Sequence, residues 1–356
     1  MQPQQIVRDF AAAKTALETF FEGTPPGKIL LVSDNASWNA TGARRWFEGN
    51  GFAGMAQFLD FSPNPKEADV ACGVEAWKAA GAEKLIAVGG GSAIDMAKLV
   101  GFSAANGVGL DGALALKAGG EMPPFFAFPT TAGTGSEATH FAVCYRGNEK
   151  FSVANPLLRP ARVGLLAEWT ASMPPIVAAA SGMDALAHGV ESWWAKGATE
   201  ESRAWAEKAL RGAKANLVAA VTAPTAEVRA AMLEAAHAGG EAINISKTTA
   251  AHAYSYILSA TFRIPHGRAV GMLLPHFMRL AEGTASENPF ATADEVEGLL
   301  EGTGLAMKLP TDAESLEKLL DGNVNRERLG NHPIDIPSAF VRDLARALAG
   351  GGESAG

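Results

Sequence analysis

Three short apolar runs constrain this chain more than anything else in it. Lys28–Ser33 reads KILLVS, Lys84–Val88 reads KLIAV, and Pro123–Pro129 reads PPFFAFP. A strand with one wetted face alternates apolar and polar residues. A run that is apolar at nearly every position predicts a strand covered on both faces, which is the habit of parallel sheets held between helices. Gly51–Leu59 is a further strand candidate, and helical spacing marks residues 5–22, 41–49 and 64–81 between the runs. Ala142–Asn155 predicts a hairpin. An α/β domain with a parallel sheet follows for the first half.

Each apolar run leads into small or polar residues. KLIAV enters Gly89-Gly90-Gly91-Ser92, with a helical stretch AIDMAKLVGFSA behind it, and PPFFAFP enters TTAGTGSE at Thr130–Glu137. A glycine turn between a strand and a helix N-terminus lets free backbone N–H groups face an anion. The same turn can also be no more than a tight connection, and its spacing is not the G-x-G-x-x-G dinucleotide fingerprint. Two such loops after strands of one sheet strengthen the nucleotide reading, because ligands of open parallel sheets bind at that edge. Asp34, ending the first run, suits either a ribose hydroxyl or a helix N-cap. Lys150, in the expected hairpin, could meet an anion or remain solvated.

The pattern changes at Glu168–Pro175, EWTASMPP, beyond which it is helical almost throughout. With 356 residues, two domains are expected, 1–172 and 173–356. Helices are predicted over Ile176–Trp194, Glu201–Val221, Ala226–Ala238 and Ile243–Ser259, with others near 262–278, 295–300, 312–320 and 338–348. The glycine-rich end, 350–356, is expected to lack order. In the first of these helices, GMDALAH places Asp184 four residues before His188, so both side chains share one face about 5–6 Å apart. With His252 and His266 they form one carboxylate and three imidazoles, a set able to hold a divalent cation. Each histidine taken singly also fits a structural role, and His140, His237, His276 and His332 have no context suggesting more.

A net charge of −8 argues against nonspecific nucleic-acid binding, which rests on Lys and Arg neutralising phosphates, and leaves a local basic pocket open. No apolar run is long enough to span a membrane, and the first residues lack the pattern of a secretory signal. Two cysteines in unrelated contexts, Cys72 and Cys144, fit a reducing compartment, so a cytoplasmic enzyme is expected.

Taken together, GGGSAIDMAK, PTTAGTGSE, GMDALAHGVES and RIPHGRAVGMLLPH resemble the iron-containing (group III) alcohol dehydrogenase family, in the family's order and over roughly residues 25–280. The resemblance implies an N-terminal Rossmann-like nucleotide domain, an all-α C-terminal metal domain, an active site between them, and a homodimer. It implies Asp184, His188, His252 and His266 as ligands of Fe²⁺, with Zn²⁺ the alternative. Gly89, Gly90, Gly91 and Ser92 match the family's pyrophosphate turn, with Asp95 and Lys98 in the same motif. Thr130, Thr131 and Thr134 match a second nucleotide loop, and Lys150 a lysine near the cofactor. Asp34 falls where the family chooses its cofactor and suggests NAD(H), with NADP(H) left open.

Two departures matter. Where many members carry a histidine four residues after the third ligand, this chain has Tyr256, which the resemblance makes a candidate in proton relay. The stretch ISKTTAAHAYSY looks like the family's phosphonoacetaldehyde reductase branch and brings Lys247 near His252, with Arg263 and Arg268 as further cations. A lysine buried there would want an anion. The implied activity is reduction of an anionic aldehyde, phosphonoacetaldehyde to 2-hydroxyethylphosphonate. A general short-chain alcohol or lactaldehyde dehydrogenase and a maleylacetate reductase are the alternatives. A sugar-phosphate cyclase of the dehydroquinate synthase type and a non-catalytic nucleotide sensor or metal store are the rivals from other classes.

Overall fold

The computed structural model describes residues 3–147, 149–322 and 324–351. The chain divides into two compact units, Met1–Met173 and Pro174–Gly356.

The first unit is built on a six-stranded, wholly parallel sheet. Its strands are β1 (Gln5–Val7), β2 (Ile29–Ser33), β3 (Ala56–Phe58), β4 (Lys84–Gly89), β5 (Phe125–Pro129) and, after a separate antiparallel hairpin of β6 (Phe141–Arg146) and β7 (Glu149–Ala154), β8 (Arg162–Gly164). The spatial order is β1-β8-β5-β4-β2-β3. Helices α1 (Phe10–Phe21), α2 (Asn35–Ala40), α3 (Ala43–Gly49), α4 (Glu67–Ala80), α5 (Gly91–Asn106) and α6 (Leu110–Ala115) connect and cover it.

The apolar runs are continuous because a strand sends successive side chains to opposite faces. Leu30, Val32, Leu85, Ala87, Phe125 and Ala127 enter one core, with Ile94, Leu99 and Val100 of α5. Their neighbours Ile29, Leu31, Ile86, Val88, Phe126 and Phe128 enter another, with Leu17 and Phe20 of α1, Trp38 and Phe47. Each strand thus feeds two cores. The helix predicted over 5–22 is in fact β1 followed by α1, which Asp9 caps by accepting from Ala12 N. Three residues are too few to display a period, and the pairing of Gln5–Val7 with Arg162–Gly164 is set far away in sequence. The strand expected over Gly51–Leu59 contracts to β3.

The second unit is helical: α7 (Pro175–Trp194), α8 (Glu200–Thr222), α9 (Ala226–Ser246), α10 (Ala250–Phe262), α11 (His266–Ala281), α12 (Ala293–Gly302), α13 (Ala313–Gly322), α14 (Arg326–Gly330) and α15 (Ser338–Leu348). Helix α7 opens with Pro175 in its first turn, where the missing N–H costs nothing. It packs against α8, α9 and α11. Capping boxes start α8 at Thr199 and α12 at Thr292.

One helix expectation is corrected here. Residues 243–259 are not a single helix. Helix α9 continues to Ser246, the chain breaks at Lys247 with φ +62°, and α10 starts afresh at Ala250. Asn331 holds this break by donating Nδ2 to Ser246 O and Thr248 O, so the turn is made by contacts absent from the local sequence. Of the tail, Gly350 N donates to Leu309 O, and residues 352–356 lie outside the described residues. Among the described residues no helix is long and apolar enough to cross a membrane.

Candidate functional site

The first unit gathers the anticipated nucleotide residues along the C-terminal edge of its central strands. The loops after β2, β4 and β5 carry Asp34, Gly89–Ser92 and Thr130–Thr134, and β4 lies between the other two strands. Ser37 and Thr130 hydroxyls meet at 3.3 Å. The glycine turn lies hard against the threonine loop. A Cβ on Gly91 would come within 2.7 Å of Thr134 Oγ1, and one on Gly90 within 3.3 Å of Thr131. Helix α5 begins here at Gly91, and no side chain caps its N-terminus. Of the two readings of Asp34, the helix cap is what the structure shows. Its Oδ1 accepts from Ser37 N and caps α2, while Oδ2 lies beside Gly89.

Three residues of these motifs face inward or aside. Ser92 Oγ accepts from Asn64 N. Asp95, expected among the nucleotide contacts, commits both oxygens to the fold: Oδ1 accepts from Ser136 Oγ, and Oδ2 from Val143 N at 2.9 Å. Lys98 is fully buried and donates to the carbonyls of Ser136, Thr139 and Phe141 at 2.7–2.9 Å. Asp95 and Lys98 therefore tie α5 to the threonine loop and to β6. Burial brings the Lys98 ammonium down to about 8, against the pull of Asp95. Lys150 sits in β7 opposite Tyr145, half-buried, and its charge reaches Asp95.

The second unit brings all four expected metal ligands together. Asp184 and His188 lie on one face of α7, His252 in the first turn of α10, and His266 at the first residue of α11. Asp184 Oδ1 is 3.3 Å from His252 Nε2, 3.7 Å from His188 Nε2 and 3.8 Å from His266 Nε2. Ligand atoms about 2.1 Å from a tetrahedral ion lie about 3.4 Å from each other. The tightest trio is Asp184, His252 and His266, with ligand atoms within 4.8 Å of one another. His188 joins it with its ring stacked on His252 at 5.0 Å.

Asp184 Oδ1 and His252 Nε2 are buried without a hydrogen bond among the described residues. A buried carboxylate oxygen and imidazole nitrogen left facing each other are costly unless something bridges them, and a divalent cation fits. Burial works against the charge of Asp184, yet His188, His252 and His266 hold its carboxyl well below the usual range. Burial pushes His188 down to about 4. It also opposes charge on His252, but Glu191 and Asp184 overcome it and raise that imidazole to about 10.

His266 is the open side of the cluster, its side chain 37% exposed. Its place depends on Gly267, where a Cβ would lie 1.8 Å from Ala180 O. Only glycine lets α11 meet α7 this closely. Tyr256 stacks on His266 with ring centroids 5.5 Å apart, beside the cluster as expected.

Lys247 requires a correction. It is neither buried nor on the helix of His252. It stands at the C-cap of α9 with its side chain 53% exposed, and Nζ pairs with Glu327 at 2.6 Å. The burial that argued for an anion there is absent. Arg268 is likewise engaged, donating to Leu305 O at 2.8 Å, and Arg263 ends α10 in the left-handed region.

Two residues went unnoticed in the sequence. Glu191, fully buried, accepts from Thr249 Oγ1 at 2.7 Å and Ala251 N at 2.9 Å, and meets His252 Nδ1. It lies seven residues after Asp184 on the same helix face, so its spacing was visible while its contacts were not. Arg328, on the α14 that packs against α10, adds a positive charge felt at His188.

Comparison with known proteins places the chain in a family. The family profile "Iron-containing alcohol dehydrogenase" matches residues 3–164, and "Fe-containing alcohol dehydrogenase family, C-terminal" matches residues 178–335. A phosphonoacetaldehyde reductase of Streptomyces viridochromogenes is 35% identical over 209 residues, 56% of this chain, so the match spans only 53% of that protein's length. An NAD-dependent methanol dehydrogenase of Bacillus methanolicus is 33% identical over 257 residues, 70% of this chain and 67% of that one. Among solved structures, a sulfoacetaldehyde reductase from Bifidobacterium kashiwanohense in complex with NAD⁺ matches with TM-score 0.88 and 26% identity over 98% of both chains. With its parallel-sheet unit, its helical unit and an Asp-His₃ cluster on α7, α10 and α11, this chain belongs to the iron-containing alcohol dehydrogenase family.

Proposed function

We propose that this protein reduces a short aldehyde carrying an anionic tail to the primary alcohol, phosphonoacetaldehyde to 2-hydroxyethylphosphonate being the favoured case, with NADH as reductant. The observation that carries the reading is the buried Asp184 and three-histidine cluster, with one carboxylate oxygen and one imidazole nitrogen facing each other unbonded. Bound there, Fe²⁺ or Zn²⁺ supplies Lewis-acid polarisation of the aldehyde oxygen, and the nicotinamide supplies the hydride. Asp184, His188, His252 and His266 would hold the ion. His266, partly exposed, and Tyr256, stacked on it, flank the side from which substrate enters. Tyr256 is then placed to relay the proton that the product oxygen needs. The turn at Gly89–Ser92 and Thr130, Thr131 and Thr134 would receive the cofactor phosphates, and Asp34 the adenosine ribose.

Two observations support an anionic substrate. The phosphonoacetaldehyde and sulfoacetaldehyde reductases are both named for two-carbon aldehydes ending in an oxyanion. Arg328 adds positive charge near His188. A simple alcohol is the second reading. It is favoured by the pairing of Lys247 with Glu327 and by the methanol dehydrogenase relative.

The deciding experiment loads the protein with Fe²⁺ or Zn²⁺ and measures NADH oxidation with phosphonoacetaldehyde, sulfoacetaldehyde, acetaldehyde and propanal. A charge-assisted contact with the tail should raise kcat/KM for the anionic aldehydes about tenfold or more over acetaldehyde. Equal values would leave the simple-alcohol reading. If no aldehyde oxidises NADH, the dehydrogenase reading fails. Light scattering on the same sample tests the homodimer that accompanies this reading.

A further inference from the structure

One buried carboxylate stands between the metal cluster and the helix that presents part of it. Glu191 lies on α7, one turn beyond His188, with none of its surface exposed. Its Oε1 receives Thr249 Oγ1 at 2.7 Å, Ala251 N at 2.9 Å, Thr249 N at 3.2 Å and His252 N at 3.4 Å. Three of these are backbone N–H groups at the start of α10, which has no side-chain cap from its own N-cap residue. The other oxygen, Oε2, meets His252 Nδ1.

The direction of these bonds is determined. Trp194 Nε1 can only donate, and it donates to Thr249 Oγ1 at 2.9 Å. The Thr249 hydroxyl therefore gives its own proton to Glu191. Every group around Oε1 is a donor, so an atom in that position must accept. With Oε2 also accepting, Nδ1 of His252 holds its proton whether the ring is charged or neutral, so Nε2, turned toward Asp184 Oδ1, is the nitrogen that gives up its proton to an ion.

We propose that Glu191 is the positioning residue of the metal centre: a single side chain that caps α10 and sets the tautomer of His252, so that Nε2 is a ligand. The inference rests on the Asp-His₃ reading of the cluster. Its particular consequence concerns Glu191→Gln. The four donors around Oε1 would keep the amide oxygen at that site. The amide NH₂ would then face His252 Nδ1 and donate to it, moving the imidazole proton to Nε2, where it blocks coordination. The substitution would keep the cap and remove the ligand.

The test compares wild type, Glu191→Gln and Thr249→Val, each stripped of metal and reloaded with Co²⁺ or Zn²⁺. Thr249→Val removes one of the four donors to Oε1, the hydroxyl, and leaves Oε2 on the imidazole, so it serves as the purely structural control. Metal affinity is measured by competition with a chelator, ligation by the visible absorption of the Co²⁺ form, and the tautomer by ¹⁵N-histidine NMR of the metal-free protein titrated to alkaline pH, where the His252 ring is neutral. For Glu191→Gln the expected result is metal binding weakened about 10–100-fold, as for other partners of metal-bound histidines, with an altered Co²⁺ spectrum and a proton on His252 Nε2. Thr249→Val should lower Tm while keeping wild-type affinity and spectrum. Unchanged affinity and spectrum in Glu191→Gln would overturn the inference, as would equal loss in both variants, which would make Glu191 a cap and nothing more. Failure of wild type to bind either ion would overturn the metal reading itself, and the NMR comparison would still decide the tautomer.

Discussion

Asp34 commits one of its two oxygens, Oδ1, to a cap of α2 through Ser37 N and leaves the other, Oδ2, at the glycine turn. Charge and cap can therefore be separated. Asp34→Asn keeps the cap acceptor and removes the repulsion of a 2′-phosphate. The ratio of kcat/KM for NADPH over NADH is expected to rise about tenfold, a change of about 1.4 kcal/mol, with Tm nearly unchanged. An unaltered ratio would remove Asp34 from cofactor choice. At this scale the sequence was informative where a residue acts with neighbours on its own element, as Asp184 does with His188 four residues on. It was silent on partners. Glu191 showed its spacing, but its acceptance of Thr249 and His252 depends on α10 folding back some sixty positions later. Asp95 and Lys98 belong to the glycine motif, yet their groups turn inward to Ser136, Thr139 and Phe141. A motif marks a segment, and it does not say which face of the segment meets the ligand.

Helix α11 is the element whose placement is least tolerant. Its second residue approaches α7 closely enough that a methyl group at Gly267 would lie 1.8 Å from Ala180 O. That atom is backbone, so one of the helices must shift, carrying His266 away from Asp184. Gly267→Ala is expected to destabilise the protein by about 1–3 kcal/mol or more and to lower metal affinity beyond what the loss of stability explains. Urea titration of the metal-free protein, set beside chelator competition, separates the two effects. Long elements with a clear period were legible: α7, α8, the hairpin and the two-faced strands of the sheet appear where spacing places them. The break between α9 and α10 was not. Residues 243–259 keep helical spacing through Lys247, and what interrupts them is tertiary: Asn331 holds Ser246 O and Thr248 O, and Glu191 gathers the new N-terminus. Reading through that break placed Lys247 beside His252, when its ammonium turns to Glu327 instead.

For the molecule as a whole, stability should depend on acidity through a histidine remote from the ligand set. His332 is 1% exposed, packed edge-on against Trp194 and Phe277, and neither ring nitrogen has a partner among the described residues. Burial pushes its imidazole down to about 4 from an ordinary 6.5. The unfolded chain then binds a proton that the folded chain refuses, so stability is lost as pH falls from about 6.5 toward 4, by an upper limit of about 3 kcal/mol. His332→Leu should flatten this dependence, leaving the urea midpoint near wild type at pH 7 and above it at pH 5. Parallel midpoint curves for the two proteins would show that His332 is not the group responsible.

The order of strands in the first unit also sets a schedule for synthesis. β1 leaves the ribosome before the other strands of the sheet, but its sheet partner among the described residues is β8, and β8 stands between it and β5. Gln5 pairs with Arg162, so at about 5–20 residues per second the first strand waits about 8–30 s for its place. During that interval β2, β4 and β5 can already assemble, while the β5 edge that will receive β8 stays open. A nascent chain arrested before residue 162 would carry the glycine and threonine loops on a sheet still missing one border, with residues 5–7 open to protease.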